Sequence, residues 1–266
     1  MTTSRRPGPG PTEPMHFAIT GAAAGIGAQV ALDLAAVGQH VWCLDRDAAG
    51  LATTVDRIRA AGGAADAVTL DVTHEAAVVD AFRTIGEGAD GRLAGLVNCA
   101  GIIVVGRFES FAVADWERVF SVNVVGSWLT IKHALPLLRA AAPGRVVNLA
   151  SIGAKLPTAW TAPYNASKAA IVSLTRSAAL SLGPDVLVNC VCPGPLATDM
   201  YSQIDARLDE LGAPPEVRFA ARSTANPLGR AGTVAEVSAA ICYLLSDAAG
   251  FITGEDLNVS GGMVMF

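Results

Sequence analysis

The sequence predicts an α/β protein: one doubly wound parallel β-sheet flanked by helices on both faces. Three observations carry that prediction. Short apolar runs alternate in strict turn with longer amphipathic segments, the pattern of successive βαβ units. A glycine-rich turn stands between the first run and the first amphipathic segment. The chain has 266 residues, 52% hydrophobic and 16% charged, which suits one large core and excludes a disordered chain.

Residues 1–14 are rich in Pro, Gly, Ser and Thr without periodicity, and are expected to form a flexible N-terminal arm. Residues 15–266 carry no short repeat and no internal linker, so they are expected to form a single domain. The expected strands are His16–Thr20, His40–Leu44, Ala67–Leu70, Leu93–Val97, Arg145–Leu149 and Val186–Val191. Most read as buried on both faces, as strands between two helical layers must be. Gly25–Val37, Ala48–Ala61, Trp116–Ala140 and Tyr164–Leu182 have helical length and spacing, with Thr161 and Pro163 marking the start of the last. The stretch 195–225, with Pro214 and Pro215 between polar helical turns, is expected to act as a substrate loop or lid.

Charge and cysteine usage narrow the function. A net charge of -5 argues against a nucleic-acid surface, which needs a basic stripe. The longest stretch free of charged residues, Pro14 to Leu32, is broken by Gly21, Gly25 and Gly27 and makes a poor membrane span. Arg5 and Arg6 precede proline and glycine rather than an apolar run, so export is not expected. Five scattered cysteines without C-x-x-C spacing, and four scattered histidines, suggest reduced core thiols in a cytoplasmic protein with no metal.

Thr20-Gly-Ala-Ala-Ala-Gly-Ile-Gly27 follows a strand and opens a helix, the context a dinucleotide-binding turn of a Rossmann-type fold requires. Gly21 permits the tight turn, Gly25 lets backbone approach a pyrophosphate, and Gly27 allows close helix packing. The amides at the helix start, Ile26 among them, face the anion. Asp45 ends the second strand 18 positions after Gly27, where a carboxylate would hydrogen-bond the adenosine ribose and repel a 2′-phosphate. That favours NAD over NADP, although Arg46 next door could stack on adenine or accept the phosphate. Asp45 could instead be an ordinary helix cap. Asp71, followed by Val72, is a candidate for the adenine amino group or for a cap on the next helix.

At Tyr164-Asn-Ala-Ser-Lys168 a phenol and an ammonium stand four apart on one helix face. A free tyrosine titrates near pH 10, so a role as base at neutral pH needs a cation beside the phenolate, and Lys168 is suitably spaced. The pair alone is common and usually marks a solvated helix face. Ser151 ends a strand at the carboxyl edge of the sheet, where open α/β folds bind ligands; it could equally be a turn serine.

Together these residues resemble the short-chain dehydrogenase/reductase family in its classical, shorter form, over about Phe17 to Gly262. The likeness comprises Thr20 to Gly27, Asp71, Asn98-Cys-Ala-Gly101, Asn123, Ser151, Tyr164 with Lys168, and Pro193-Gly-Pro-Leu-Ala-Thr198, in order and spacing. The resemblance implies hydride transfer between a nicotinamide cofactor and a secondary alcohol or ketone, with Tyr164 exchanging the proton and Ser151 orienting the same oxygen. It implies that Lys168 lowers the tyrosine pKa and binds the nicotinamide ribose, and that Asn123 positions a relay water. Asn98, Ala100, Gly101, Pro193 and Gly194 would contact the cofactor, while the Leu196 backbone and the Thr198 hydroxyl would clasp the carboxamide. It also implies a homo-oligomer, dimer or tetramer, paired through the helices over Trp116–Ala140 and Tyr164–Leu182.

Cys99, Ala150 and Ser260 depart from the family's usual Asn, Ser and Asp, and none of these removes a reacting group. Cys190 and Cys192 share a strand face and read as packing. The substrate mouth is expected from the loops after the fourth, fifth and sixth strands, with Ile103, Leu156, Trp160, Met200 and Tyr201 as apolar candidates and Lys155 and Arg107 as polar ones. They suggest a neutral, partly hydrophobic substrate. Two rivals remain: an NADPH-dependent ketoreductase of the same fold, and a non-catalytic nucleotide sensor or interaction protein.

Overall fold

The computed structural model describes residues 14–266. The arm expected over residues 1–14 therefore lies, apart from Pro14, outside the described residues.

Seven parallel strands form one sheet in the order β3-β2-β1-β4-β5-β6-β7. They are β1 His16–Thr20, β2 His40–Asp45, β3 Ala64–Thr69, β4 Gly95–Asn98, β5 Gly144–Leu149, β6 Val186–Pro193 and β7 Asp256–Val259. The order reverses at β1, which lies between β2 and β4, so a crevice opens beyond the carboxyl ends of β1 and β4. The glycine turn leaves β1 at that point, which places it at the crevice floor.

Alternation along the strands builds the two layers. Phe17 and Ile19 of β1, and Val41 and Cys43 of β2, join a core with helix α1 (Gly25–Ala36), α2 (Ala48–Ala60) and the late helix Val234–Leu245. Ala18, Trp42 and Leu44 point the other way, into a core with α3 (Glu75–Gly88) and the helical rod 113–140. Each fully buried Leu or Ile, such as Ile19, Leu44 or Leu96, contributes about 1.5–3 kcal/mol, so both helical layers are held by the sheet rather than by helix propensity. Edge strand β3 is half-exposed, unlike the buried strands the sequence led us to expect.

The expected helix over Trp116–Ala140 is three segments in one rod: α4 (Val113–Phe120), a π-turn over Ser121–Gly126, and α5 (Ser127–Ala140). The π-turn carries Asn123. The next helix, α6 (Ala162–Leu182), begins after Thr161, as expected. The expected lid folds as α7 (Asp199–Glu210), a tight turn Pro215–Val217 and the short α8 (Phe219–Thr224), followed by α9 (Val234–Leu245). Ile204, Leu208 and Ala213 give the lid a small core of its own, joined by Ile103, Val105 and Trp160 from the facing loops. Cys190 and Cys192 are buried with Ala150, Ile171 and Val172, in agreement with their expected packing role.

Candidate active site

A cavity of about 970 Å³ runs along the carboxyl edge of the sheet. The glycine turn lines one end and Ser151, Tyr164 and Lys168 line the other. Each glycine answers to a different constraint. A Cβ on Gly27 would lie 2.2 Å from the Gly21 carbonyl oxygen, and one on Gly21 would lie 2.7 Å from the Ala100 amide nitrogen. Gly25 has φ +58° and nothing within 4 Å of its would-be Cβ, so its backbone takes the left-handed turn while leaving space above the helix start. A pyrophosphate fits that space against the first amides of α1, and the residues present thus fit a dinucleotide.

Asp45 borders the end of the cavity formed by the glycine turn. Its carboxylate accepts from the Ala23 amide at 3.2 Å and from the Asp47 amide at 3.1 Å. It is not the cap of α2, a role that belongs to Asp47. Instead it ties the glycine turn to the β2–α2 turn and still lines the cavity. Arg46 and Arg57 line the same end. Asp71 and Val72 do so too, and Asp71 accepts from the Thr73 amide and hydroxyl, which holds its carboxyl below the usual range. The cap position of α3 is His74, so Asp71 does not cap that helix.

Ala100, Gly101, Pro193, Gly194, Leu196 and Thr198 all line the cavity, as expected. Asn98 does not. Its amide donates to the Asn148 side chain at 2.9 Å and accepts from Thr130 at 2.7 Å, so its polar atoms are satisfied inside the core. At the end of β4 the Asn98 side chain is a buried node linking β4, β5 and α5, so any contact it makes with a cofactor would come from its backbone.

Tyr164 and Lys168 face the cavity together, with the Lys168 ammonium 5.6 Å from the centre of the tyrosine ring. Lys168 Nζ donates to the Leu149 carbonyl at 2.6 Å, and burial pulls its pKa down to about 8. Burial pushes the Tyr164 phenol up to about 12, and the Ser151 hydroxyl beside it acts in the opposite direction. The phenol therefore keeps its proton at neutral pH unless further positive charge comes near. Ser151 leads into a tight turn, its Oγ accepting from the Gly153 amide at 3.0 Å.

Asn123 lies one shell further out. Its side chain accepts from the Ile102 amide and donates to the Ile102 carbonyl and to Ser167, so it clamps the β4 loop to α6 and does not itself line the cavity. The π-turn brings it there.

Of the residues expected at the substrate mouth, Met200 and Tyr201 line the cavity. Ile103 and Trp160 instead pack under the lid, and Leu156 is exposed. Arg107 donates to the Leu211 carbonyl and lies over the Trp160 ring, bracing the lid. Lys155 turns away altogether: its ammonium is held by Asp256, Asn258 and the Phe266 carbonyl, tying the loop after Ser151 to β7. Lining residues that sequence reasoning missed, Gln203 and Val122 among them, carry no motif and are brought in by the lid and the π-turn.

Among the described residues no group of three or more His, Cys, Asp or Glu is placed to hold a metal ion, and no helix is long and apolar enough to cross a membrane.

The chain is similar to known proteins along nearly its whole length. Residues 21–264 match a family described as enoyl-(acyl carrier protein) reductase. The chain is 40% identical over 251 residues to 2-(S)-hydroxypropyl-CoM dehydrogenase 3 of Xanthobacter autotrophicus, covering 93% of this chain and 95% of that protein. It is 36% identical over 245 residues to cyclopentanol dehydrogenase of Comamonas sp., covering 92% and 94%. Among solved structures, a variant of actinorhodin polyketide ketoreductase with NADPH superposes with a TM-score of 0.88 at 31% identity, covering 95% of this chain and 98% of that one. NAD+-bound xylitol dehydrogenase gives 0.88 at 28% identity, covering 94% and 100%. With a family match over residues 21–264, and dehydrogenase relatives matched along nearly their whole length, the chain belongs to the short-chain dehydrogenase/reductase family of oxidoreductases.

Proposed function

We propose that the protein is an NAD-dependent dehydrogenase that interconverts a secondary alcohol and its ketone. The observation that carries this reading is that Ser151, Tyr164 and Lys168 border one end of the cavity whose other end is the glycine turn. A bound nicotinamide would accept or return the hydride. Gly21, Gly25, Ile26 and Gly27 would hold its pyrophosphate, and Asp45 its adenosine ribose.

In the oxidative direction the substrate oxygen sits between Ser151 and Tyr164. The serine hydroxyl fixes its position, and the tyrosine takes its proton. Protonated Lys168, its ammonium 5.6 Å from the centre of the ring, adds positive charge on that side, and a bound oxidised nicotinamide would bring the further positive charge that the buried phenol needs to ionise. Its second role is to hydrogen-bond the nicotinamide ribose. Asn123 keeps the Ile102 loop and α6 in register and so fixes the path by which a relay water carries the proton outward. In the reductive direction the same tyrosine returns the proton. Pro193, Gly194, Leu196 and Thr198 would hold the carboxamide end.

The carboxylate of Asp45 supports NAD over NADP, because it would lie against a 2′-phosphate. One observation favours the second reading, an NADPH-dependent ketoreductase: Arg46 and Arg57 border the same end and could pair with that phosphate. Incubating the purified protein with cyclopentanol or a 2-hydroxypropyl thioether and either oxidised cofactor, while following reduced nicotinamide absorbance, tests both. Turnover with NAD+ above NADP+ supports the proposal; turnover with NADP+ alone selects the second reading; absence of turnover with a broad alcohol and ketone panel removes both.

The proposal extends to a cytoplasmic homo-oligomer, dimer or tetramer. All five cysteines are unpaired, as in a reducing compartment. Val125 and Trp128 on the π-turn and α5, and Leu180 on α6, leave apolar surface exposed on the helices expected to pair.

A further inference from the structure

The cavity holds a second phenol that the dehydrogenase reading does not use. Tyr201, on the first turn of α7, lines the same cavity as Ser151 and Tyr164. Its ring is fixed by the lid: it packs against the small core of Ile204, Leu208 and Ala213, and lies 4.8 Å from the Phe219 ring on α8. Its amide donates to the Thr198 carbonyl at 3.0 Å, which ties it to the turn that enters α7.

The hydroxyl is the part left without a partner. Among the described residues it makes no hydrogen bond, and burial pushes its pKa above the ordinary value, so at neutral pH it keeps its proton and can donate it. It lies close enough to Tyr164 that charge on one phenol disfavours charge on the other. A half-desolvated hydroxyl without an acceptor is costly, and a buried tyrosine hydroxyl ordinarily finds one.

The charges along the cavity restrict what that acceptor is. Among the described lining residues, Asp45, Arg46, Asp47, Arg57 and Asp71 belong to the glycine-turn end, and the remaining charge, Lys168, is engaged with the Leu149 carbonyl. Met200, Ile102 and Ala150, which also line the cavity, are apolar. An ionic group there would lose its hydration without a counter-charge, whereas an uncharged oxygen needs only one donor.

We propose that the Tyr201 hydroxyl donates a hydrogen bond to a second, uncharged oxygen of the substrate, while Ser151 and Tyr164 hold the reacting oxygen. This rests on the dehydrogenase reading above. It keeps the neutral substrate and adds a class: a secondary alcohol with an ether, hydroxyl or carbonyl oxygen a few bonds from its reacting carbon. Two anchored oxygens fix how that carbon presents its hydrogen to the cofactor. An all-carbon analogue leaves the phenol unpaired and is disfavoured for that reason.

The test uses pairs of equal size in which an ether oxygen replaces a methylene: 1-methoxy-2-propanol against 2-pentanol, 4-methoxy-2-butanol against 2-hexanol, and 5-methoxy-2-pentanol against 2-heptanol, oxidised with NAD+. An ether oxygen can only accept, so the pairs read donation by the phenol. Tyr201→Phe removes the hydroxyl and keeps the ring. At the length that spans the two phenols, it should lower the ether-to-alkane ratio of kcat/KM about three- to tenfold, the scale of one neutral hydrogen bond. The inductive effect of the ether is the same in both proteins, and each ratio is taken within one protein, so neither it nor a loss of folded protein imitates the change.

A second arm needs no turnover. The tertiary alcohols 1-methoxy-2-methyl-2-propanol and 2-methyl-2-pentanol cannot be oxidised to ketones, and their binding to the protein–NADH complex is read by nicotinamide fluorescence. The ether should bind tighter, and Tyr201→Phe should remove the difference. Where secondary alcohols are oxidised, a ratio that Tyr201→Phe leaves unchanged for every pair overturns the proposal and leaves the dehydrogenase reading standing. Where none is oxidised, binding decides: a Tyr201-dependent ether preference upholds the proposal and sinks the dehydrogenase reading, and no such preference sinks both.

Discussion

Replacing Asp45 with Ser should change which dinucleotide the protein prefers, and Coulomb's law sets the scale. A 2′-phosphate brings about two negative charges to within roughly 6 Å of the carboxylate; with an effective dielectric of about 40–80 at this open rim, repulsion is roughly 1.4–2.8 kcal/mol. Removing it should improve kcat/KM for NADP+ by about 10- to 100-fold. With NAD+, the substitution removes a ribose hydrogen bond to a charged acceptor, worth ~1.5 kcal/mol at the lower end because backbone amides share the same oxygens. NAD+ use should then fall about tenfold, so the preference ratio moves by about 100- to 1,000-fold. Since Asp45 also holds the Ala23 and Asp47 amides, Asp45→Asn, which keeps one acceptor oxygen, controls for a loosened turn. The assay is initial rates with both cofactors, beside thermal unfolding of each variant. A folded Asp45→Ser protein with an unaltered ratio would refute the assignment of the carboxylate as the discriminating group.

Three further outcomes follow from the site. Lys168 titrates at about 8 when folded against 10.5 as a free group, so the folded chain binds fewer protons between those values and its stability rises with pH across that window. Relative to Lys168→Met, the parent should therefore gain up to roughly 3 kcal/mol on going from pH 8 to pH 10.5, read by urea unfolding. Asn98→Ala should lower stability by about 1–3 kcal/mol, by orphaning the Asn148 side-chain oxygen while Thr130 keeps the Ser127 carbonyl, and the dissociation constant for NADH should stay within about threefold. Gly27→Ala forces a Cβ to 2.2 Å from the Gly21 carbonyl, and should weaken NADH at least about tenfold by displacing the glycine turn, measured by fluorescence titration.

The layer order was readable because apolar alternation and the glycine turn are local signals. His16–Thr20 is a strand to the residue, and Gly25–Ala36 falls one residue short of the expected helix end. Strand β7 was not legible: Asp256–Val259 offers only Leu257 and Val259, and it pairs because β6 presents an open edge. The expected break-free helix from Trp116 hides a π-turn, since one extra residue in a turn leaves no mark in apolar spacing.

Side-chain destinations were the less legible part. Asn98 could be placed at the crevice by its strand end, but its partners Asn148 and Thr130 lie far along the chain, and only tertiary packing decides that it turns inward. Lys155 follows Ser151 closely and looked like a mouth residue; the Asp256 carboxylate, half-buried on the unpredicted β7, draws it away. Where spacing alone sets geometry, as for Tyr164 and Lys168 four apart on one helix, sequence and structure agree.

The central claim is that the Tyr164 phenol exchanges the substrate proton. Tyr164→Phe removes that hydroxyl and nothing else, so its effect on turnover with the best alcohol, set beside NADH binding, tests the claim most directly. Loss of the acid–base group should lower kcat by about 10²- to 10⁴-fold. NADH affinity should stay within about threefold, because Lys168 and the glycine turn remain in place. A Phe variant that turns over at the parental rate would contradict the account.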